Sequence, residues 1–177
     1  MTLLDAPKFD EARYRRNRLI LSSTAGSLFV LFLAWWIVAG HPVDWPWNWD
    51  NYIFGNATVN AFFSAVEQND LPKAYGIWFH DKNWQQHPSN YSNYTFDRFQ
   101  QDWSPTSSQN QYGPIHSHSI GGERMNGNVL IVGIYINGQK KNALFLAYDP
   151  KLHRLTFSPI ELQLGPLLGL GGGSGGS

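Results

Sequence analysis

The alternation of apolar and polar positions divides the chain into an apolar run, an aromatic segment, a helical half and a strand half. The apolar run, residues 19–40 (LILSSTAGSLFVLFLAWWIVAG), has 22 residues and no charged side chain. As a helix it would extend about 33 Å, and the hydrocarbon core of a bilayer measures about 30 Å. Because a helix satisfies its own backbone hydrogen bonds inside lipid, the run predicts one transmembrane helix.

Helical periodicity begins after the aromatic segment. Four apolar residues recur at the spacing of one helix face: Val59, Phe62, Phe63 and Val66. They predict a helix that ends near Gln68. Asp70 before Leu71-Pro72 is typical of the N-cap and first turn of a second helix. Thr95 predicts the cap of a third short helix, which ends at the Ser-Pro step of residues 104–105.

From residue 115 the apolar period changes to two. Residues 115–120 predict a strand that ends at Gly121-Gly122, and Val129–Ile136 predicts a central strand covered on both faces. The Asn137-Gly138 step predicts a hairpin, followed by strands over 143–148 and 155–162. Helices followed by an antiparallel meander predict an α+β domain, with about three helices packed on a curved sheet.

These patterns predict five segments. They are a cytoplasmic tail (1–18), a transmembrane helix (19–40), a tryptophan-rich membrane-proximal neck (41–55), an extracytoplasmic α+β domain (56–163) and a flexible Gly/Ser-rich tail (164–177). The run is longer than the apolar core of a signal peptide, about 7–15 residues, which favours an uncleaved anchor over a cleaved signal.

The charge around the apolar run predicts its orientation. Four arginines precede it at positions 13, 15, 16 and 18, and the next basic residue after it is Lys73. The positive-inside rule therefore predicts a single-pass protein of the cell (inner) membrane, with a cytoplasmic N-terminus and an extracytoplasmic domain.

Composition excludes several classes of function. After residue 40 the chain carries 8 basic and 10 acidic residues, so it lacks the basic surface that nucleic-acid binding requires. It has no cysteine and therefore no disulfide or thiolate chemistry. No P-loop, dinucleotide-binding glycine pattern or G-x-S-x-G motif is present, and we expect no cofactor.

Five of the eight tryptophans fall within 15 residues of one another: Trp35, Trp36, Trp45, Trp47 and Trp49. Indole side chains favour the headgroup layer of a bilayer, so these residues predict an aromatic belt at the membrane interface. The alternative is a docking strip for a partner membrane protein.

The stretch FFSAVEQNDLPKAYGIWF (62–79) resembles the opening of nuclear transport factor 2-like domains, the cone-shaped superfamily that includes ketosteroid isomerases and polyketide cyclases. The third short helix and the strands that follow fit the same order, so the resemblance covers about residues 56–162. Members of this superfamily serve as isomerases, hydrolases, scaffolds or binding modules, so the resemblance implies a fold and leaves the function open.

The resemblance implies a pocket between sheet and helices, where an isomerase-like site needs a carboxylate base and a neutral donor. The candidate pocket residues are Tyr75, Trp78, Asp97 and Tyr135. The alternative is that Tyr75 and Trp78 belong to the core, as aromatic residues at helical spacing usually do.

His116 and His118 share a face if they lie in a strand, and such a pair can hold a metal ion with His80, His87 or Asp81 as third ligand. The alternative is a pair of half-exposed histidines on an edge strand. Three N-x-S/T sequences, at positions 56, 90 and 93, are glycan acceptors only in a eukaryotic secretory pathway.

The anchor, the aromatic neck and the absence of a catalytic motif together predict a membrane-anchored accessory or scaffold subunit. Its partners would be the lipid bilayer and other subunits of a membrane complex, bound through an extracytoplasmic protein-interaction domain. The alternative is a small-molecule-binding or isomerase/cyclase-like pocket protein. A third hypothesis is metal binding through His116 and His118.

Overall fold

The computed structural model of the 177-residue chain describes residues 10–40, 44–162 and 164. The chain divides into two compact units, Met1–Trp49 and Asp50–Ser177. The described part of the first unit holds a long helix and a short aromatic turn. The second unit holds helices and one antiparallel sheet.

The first unit is dominated by helix α1 (Glu11–Val38), which contains most of the predicted transmembrane run. It begins earlier than the run because the Asp10 side chain caps it, accepting from the Arg13 backbone N–H at 3.0 Å. It ends at Val38, and Gly40 follows with a φ of 83°. Among the described residues, this helix is long and apolar enough to cross a membrane, by length and composition.

Three shorter helices follow along the chain: α2 (Trp49–Glu67), α3 (Leu71–Trp78) and α4 (Phe96–Trp103). The predicted N-caps are confirmed, since Asp70 accepts from Lys73 N at 3.2 Å and Thr95 accepts from Arg98 N at 3.3 Å. Helix α2 starts at Trp49, so the last residues of the predicted neck are helical. Two 3-10 turns connect α3 to α4.

The second half of the chain forms one four-stranded antiparallel sheet in the order β1-β2-β3-β4. Its strands are β1 (His118–Asn126), β2 (Val129–Ile136), β3 (Leu144–Asp149) and β4 (Arg154–Phe157). The α+β class, the meander and the bounds of β2 are confirmed. The last strand is shorter than predicted and ends before Pro159, a residue that cannot donate a ladder hydrogen bond.

The predicted end of the first strand at Gly121-Gly122 is wrong. Strand β1 starts at His118 and continues through both glycines with a bulge, where the pairing register shifts between Ile120 and Gly122. A side chain at Gly121 would clash with the ring of Tyr135 on the neighbouring strand. The glycine therefore permits a close cross-strand approach and does not end the strand.

Asn137 fixes the start of the β2–β3 connection to the segment that leads into β1. Asn137 and Gly138 have φ values of 52° and 72°, as the predicted Asn-Gly turn requires. The Asn137 side chain accepts from the backbone N–H groups of His116 and Ser117, at 2.8 and 3.3 Å, and donates to the carbonyl of Pro114 at 2.8 Å.

The hydrophobic core lies between one face of the sheet and helices α2, α3 and α4. The sheet contributes alternate residues of β2, including Leu130, Val132 and Ile134, to this core. The other face of β2 is covered as well, since Ile131 is 1% exposed and the Leu164 side chain lies over Gly133. This confirms the prediction of a central strand buried on both faces.

Candidate functional site

The interior of the domain, where a pocket was predicted, is packed solid with aromatic side chains. Phe62, Phe63 and Phe99 are fully buried and Trp78 is 3% exposed. The ring centroids of Phe62 and Trp78 lie 5.3 Å apart, and those of Phe62 and Phe99 lie 6.1 Å apart. These spacings are typical of aromatic core packing and leave no room for a substrate among these rings.

The four predicted pocket residues do not come together. Tyr75 and Trp78 lie in the core. The Tyr75 hydroxyl donates to the Tyr94 carbonyl at 2.7 Å, and burial raises the pKa of this hydroxyl to about 12. Asp97 is exposed in the first turn of α4. Tyr135 lies on the opposite face of the sheet, against Gly121.

The tryptophans of the predicted aromatic belt, for which a docking strip is the alternative, differ in exposure. A 3-10 turn at Pro46–Asn48 stacks the rings of Trp45 and Trp47 with centroids 4.9 Å apart, and both remain largely exposed. Trp49 is 4% exposed and packs against Trp35, with centroids 5.0 Å apart. Trp36 is half-buried in the same unit. Trp45 and Trp47 therefore form an exposed stacked pair rather than part of a continuous row.

The two candidate metal ligands also differ in surroundings. His116 is exposed and precedes the sheet, whereas His118 lies in β1 with its ring nitrogens 2.7 Å from Glu67 and 2.9 Å from Asn60. The described residues contain no group of three or more histidine, cysteine or acidic side chains that could hold a metal ion. His118 instead joins β1 to α2.

A cleft of about 990 Å³ opens on the helical side of the second unit, outside the packed core. Its floor is a second stripe on α2, at the spacing i, i+3, i+4 and i+7: Phe54, Ala57, Thr58 and Ala61. These side chains face away from the stripe that packs in the core. Phe54 is 55% exposed, and the other three are small, so this face of α2 is apolar and accessible.

Helix α3 and the segment after it form one wall of the cleft. Pro72, Lys73 and Ile77 line it from the helix, and His80 lines it from the segment that follows. The Trp84 indole donates to the Pro72 carbonyl at 3.1 Å and so holds the following segment against α3. This contact keeps the wall in place without closing the cleft.

One end of the cleft is formed by a pair of histidines and a tyrosine. The Tyr148 hydroxyl lies 2.7 Å from His153 Nδ1, and the rings of His80 and His153 lie 5.2 Å apart. Both histidines have a φ of 53° because each lies where the chain changes direction. His80 follows the C-cap of α3, where the Asp81 N–H donates to the Gly76 carbonyl at 2.8 Å, and His153 ends the turn between β3 and β4.

The cleft has a basic border. Lys73 and Lys82 line it together with the two histidines, and no aspartate or glutamate is among the described lining residues. Asp81 lies between His80 and Lys82 in the chain, but its carboxylate accepts from the Tyr91 hydroxyl and lies 2.9 Å from His87. The Tyr91 hydrogen bond is the main cause of the lowered pKa of Asp81. The Asp81 carboxylate is thus hydrogen-bonded to its own segment and does not line the cleft.

The sequence analysis did not predict this cleft, although the apolar stripe that forms its floor is visible in the sequence. The stripe from Phe54 to Ala61 has helical spacing, but it lies partly in the segment predicted as neck. The meeting of His80 with His153 has no counterpart in the sequence, because 73 positions separate them.

A polar contact joins α2 to β1 beside the core. The Asn56 amide nitrogen donates to Glu123 Oε1 at 3.2 Å, and Asn56 Oδ1 and Glu123 Oε2 are buried without a hydrogen-bond partner among the described residues. Burial raises the pKa of Glu123 to about 7, and the Asn56 hydrogen bond offsets part of this increase. Asn56 is thus engaged inside the fold, unlike the exposed Asn90 and Asn93 of the other two N-x-S/T sequences.

Compared with known proteins, the chain matches no family model, curated protein or solved structure.

Proposed function

We propose that the protein is a single-pass membrane scaffold whose second unit binds another subunit of a membrane complex in the cleft between α2 and α3. The observation that carries this proposal is the outward stripe of α2, which leaves an apolar, two-turn helix face accessible. An accessible apolar face of this kind on a folded domain is typical of an interaction site. The proposal includes a nuclear transport factor 2-like fold for the domain.

The chemistry of the interior supports binding rather than catalysis. An isomerase-like site needs a carboxylate base beside a space for substrate. Aromatic rings fill the interior, Asp97 is exposed, and the described lining of the cleft contains no carboxylate. These features favour a protein that holds a partner without transforming it.

The first unit supports placement at a membrane. Helix α1 is long and apolar enough to cross a bilayer, and its first two turns carry four arginines. We propose that these arginines face the cytoplasm and that the second unit lies outside it, at the cell (inner) membrane. The exposed Trp45–Trp47 pair is suited to the headgroup layer.

The second candidate function is storage or sensing of a small apolar ligand in the same cleft. Its volume of about 990 Å³ falls at the upper end of small-molecule sites, which span about 300–1,000 Å³. The partly exposed Phe54 argues for a longer, flatter occupant, because small ligands are mostly enclosed by their sites.

The test is a mild-detergent purification of the full chain from its native membrane, with Ala61→Arg placing a charge on the cleft floor. A stoichiometric partner that is retained by the unmodified chain and lost from Ala61→Arg supports the proposal. Asn128→Arg, on the exposed β1–β2 turn, is the matched control and retains the partner. Purification of the unmodified chain alone or as a homodimer contradicts the proposal.

The same purification tests the tryptophans separately. Changing Trp45 and Trp47 to alanine removes the exposed stacked pair without touching the cleft. Loss of the partner from this variant, with retention by Ala61→Arg, would assign docking to the tryptophans and contradict the cleft as the binding surface.

A further inference from the structure

We propose that the cleft binds an acidic amphipathic helix of the partner subunit, two to three turns long, with its apolar face on α2 and its carboxylates towards the lysines. This inference rests on the proposed function and names the chemistry of the occupant.

The floor of the cleft has the dimensions of a helix-packing face. From Phe54 to Ala61 the stripe advances seven residues, about 10 Å or two turns. Ala57, Thr58 and Ala61 are small, so the axis of a second helix can approach α2 to about 8–10 Å. Phe54 at one end offers a large apolar side chain for packing.

The wall formed by α3 converts this face into a groove. Its lining residues Lys73, Gly76 and Ile77 lie in α3, so two helices flank the same space. An amphipathic helix fits such a groove through apolar anchors at i, i+3, i+4 and i+7. A helix-shaped occupant therefore matches both the floor and the wall.

The border of the cleft determines the charge of the occupant. Lys73 and Lys82 are exposed on the border, and the nearby Asp81 carboxylate is engaged with Tyr91 and His87. A helix that carries glutamates beside its apolar face meets these lysines, whereas one that carries lysines is repelled. Exposed charge pairs of this kind contribute modestly to affinity and more to selectivity and salt dependence.

The experiment uses the full chain in lipid nanodiscs and a panel of helix-stapled peptides of 10–14 residues. Each peptide has leucines at i, i+3, i+4 and i+7 flanked by glutamates, and each has a matched version in which lysines replace the glutamates. Fluorescence anisotropy of labelled peptide measures affinity. We expect acidic peptides to bind about threefold to tenfold more tightly than their basic counterparts, with the difference shrinking as salt rises.

Two variants assign the binding to the cleft. Ala61→Arg is expected to weaken every acidic peptide at least tenfold, while Asn128→Arg leaves binding unchanged. The double change Lys73→Glu and Lys82→Glu is expected to reverse the preference, so that basic peptides bind more tightly. Both lysines are exposed, so this reversal reports on the border and not on folding.

Three results overturn the inference. They are the absence of binding by every acidic peptide, equal binding of acidic and basic peptides, and binding that is insensitive to Ala61→Arg.

Decanoate serves as a probe for the small-ligand alternative. Saturable binding of decanoate that depends on Ala61, without peptide binding, assigns the cleft to anionic amphiphiles. If a native partner is lost from Ala61→Arg while all acidic peptides fail, the scaffold function stands and the helical occupant is excluded.

Discussion

At the scale of single residues, Asn56 and Glu123 form a pair that lacks a donor when the glutamate is charged. One hydrogen bond, from the Asn56 amide to a Glu123 oxygen, leaves two buried acceptor oxygens without a partner among the described residues. A proton on Glu123 supplies the missing donor and allows an amide–acid pair with two hydrogen bonds. The raised pKa of Glu123, about 7, is consistent with this neutral form.

The pair gives a prediction for the dependence of stability on pH. The pKa of Glu123 is raised from 4.5 to about 7, so the folded protein holds this proton more tightly than the unfolded chain. The stabilisation is complete below pH 4.5 and is lost as pH rises through 7, a change of about 3 kcal/mol in the free energy of unfolding.

Glu123→Gln removes this titration while keeping a group that both donates and accepts. We expect its free energy of unfolding to lack this decline and to exceed that of the unmodified protein above pH 7. Urea unfolding followed by tryptophan fluorescence, from pH 4.5 to 8, measures the difference. Glu161→Gln, at an exposed position, is the control and should follow the unmodified protein. Parallel curves for Glu123→Gln and the unmodified protein would disprove the neutral pair.

At the scale of elements, α3 depends on its cap because it is only eight residues long. Helices this short are not stable alone in water, so capping and packing hold them. Asp70→Ala removes the acceptor for the Lys73 N–H and is expected to lower the free energy of unfolding by about 1 kcal/mol. Because α3 is a wall of the cleft, acidic-peptide affinity should fall in the same variant.

Asp70→Asn is the matched control, since asparagine caps helices about as well as aspartate. Chemical unfolding of the three proteins side by side measures the effect. If Asp70→Asn destabilises the domain as much as Asp70→Ala, the charge of Asp70 matters rather than its capping hydrogen bond.

Local signals explain which elements were predictable. Asp70 and Thr95 mark helix starts because a cap acts within three residues, and β2 is recognisable as a continuous apolar run. Gly121 misled the prediction because its role depends on Tyr135, a cross-strand neighbour that the linear pattern does not identify. The start of α2 at Trp49 was missed because the tryptophans of this segment were assigned to the membrane-proximal neck (41–55).

The candidate site was less accessible to prediction than the fold. The sequence identified Tyr75 and Trp78 as aromatic residues on one helix face but could not decide between core and pocket. The cleft joins α2 to His80 and His153, so its existence depends on how distant elements pack. Periodicity identifies the residues that share a face of a helix or strand, but it does not identify the element that packs on that face.

At the scale of the whole molecule, the apolar helix gives a prediction about membrane association. Phe29→Arg places a charge near the middle of the apolar run, which costs about 2.5–3.5 kcal/mol for insertion of a helix centre. We expect a smaller membrane-integrated fraction, measured by alkaline extraction of membranes and flotation. Asn17→Arg adds the same charge before the run and should leave that fraction unchanged. Equal integration of both variants would contradict a membrane-spanning α1.

The side chain of Asn137 also bears on chemical ageing. Asparagine followed by glycine is the sequence most prone to deamidation, which requires the glycine nitrogen to attack the side-chain amide carbon. Here the amide oxygen accepts from two backbone N–H groups and the amide nitrogen donates to Pro114. Reaching the cyclic intermediate would break these bonds, so the residue that shapes the hairpin is also shielded from becoming aspartate over the lifetime of the folded protein.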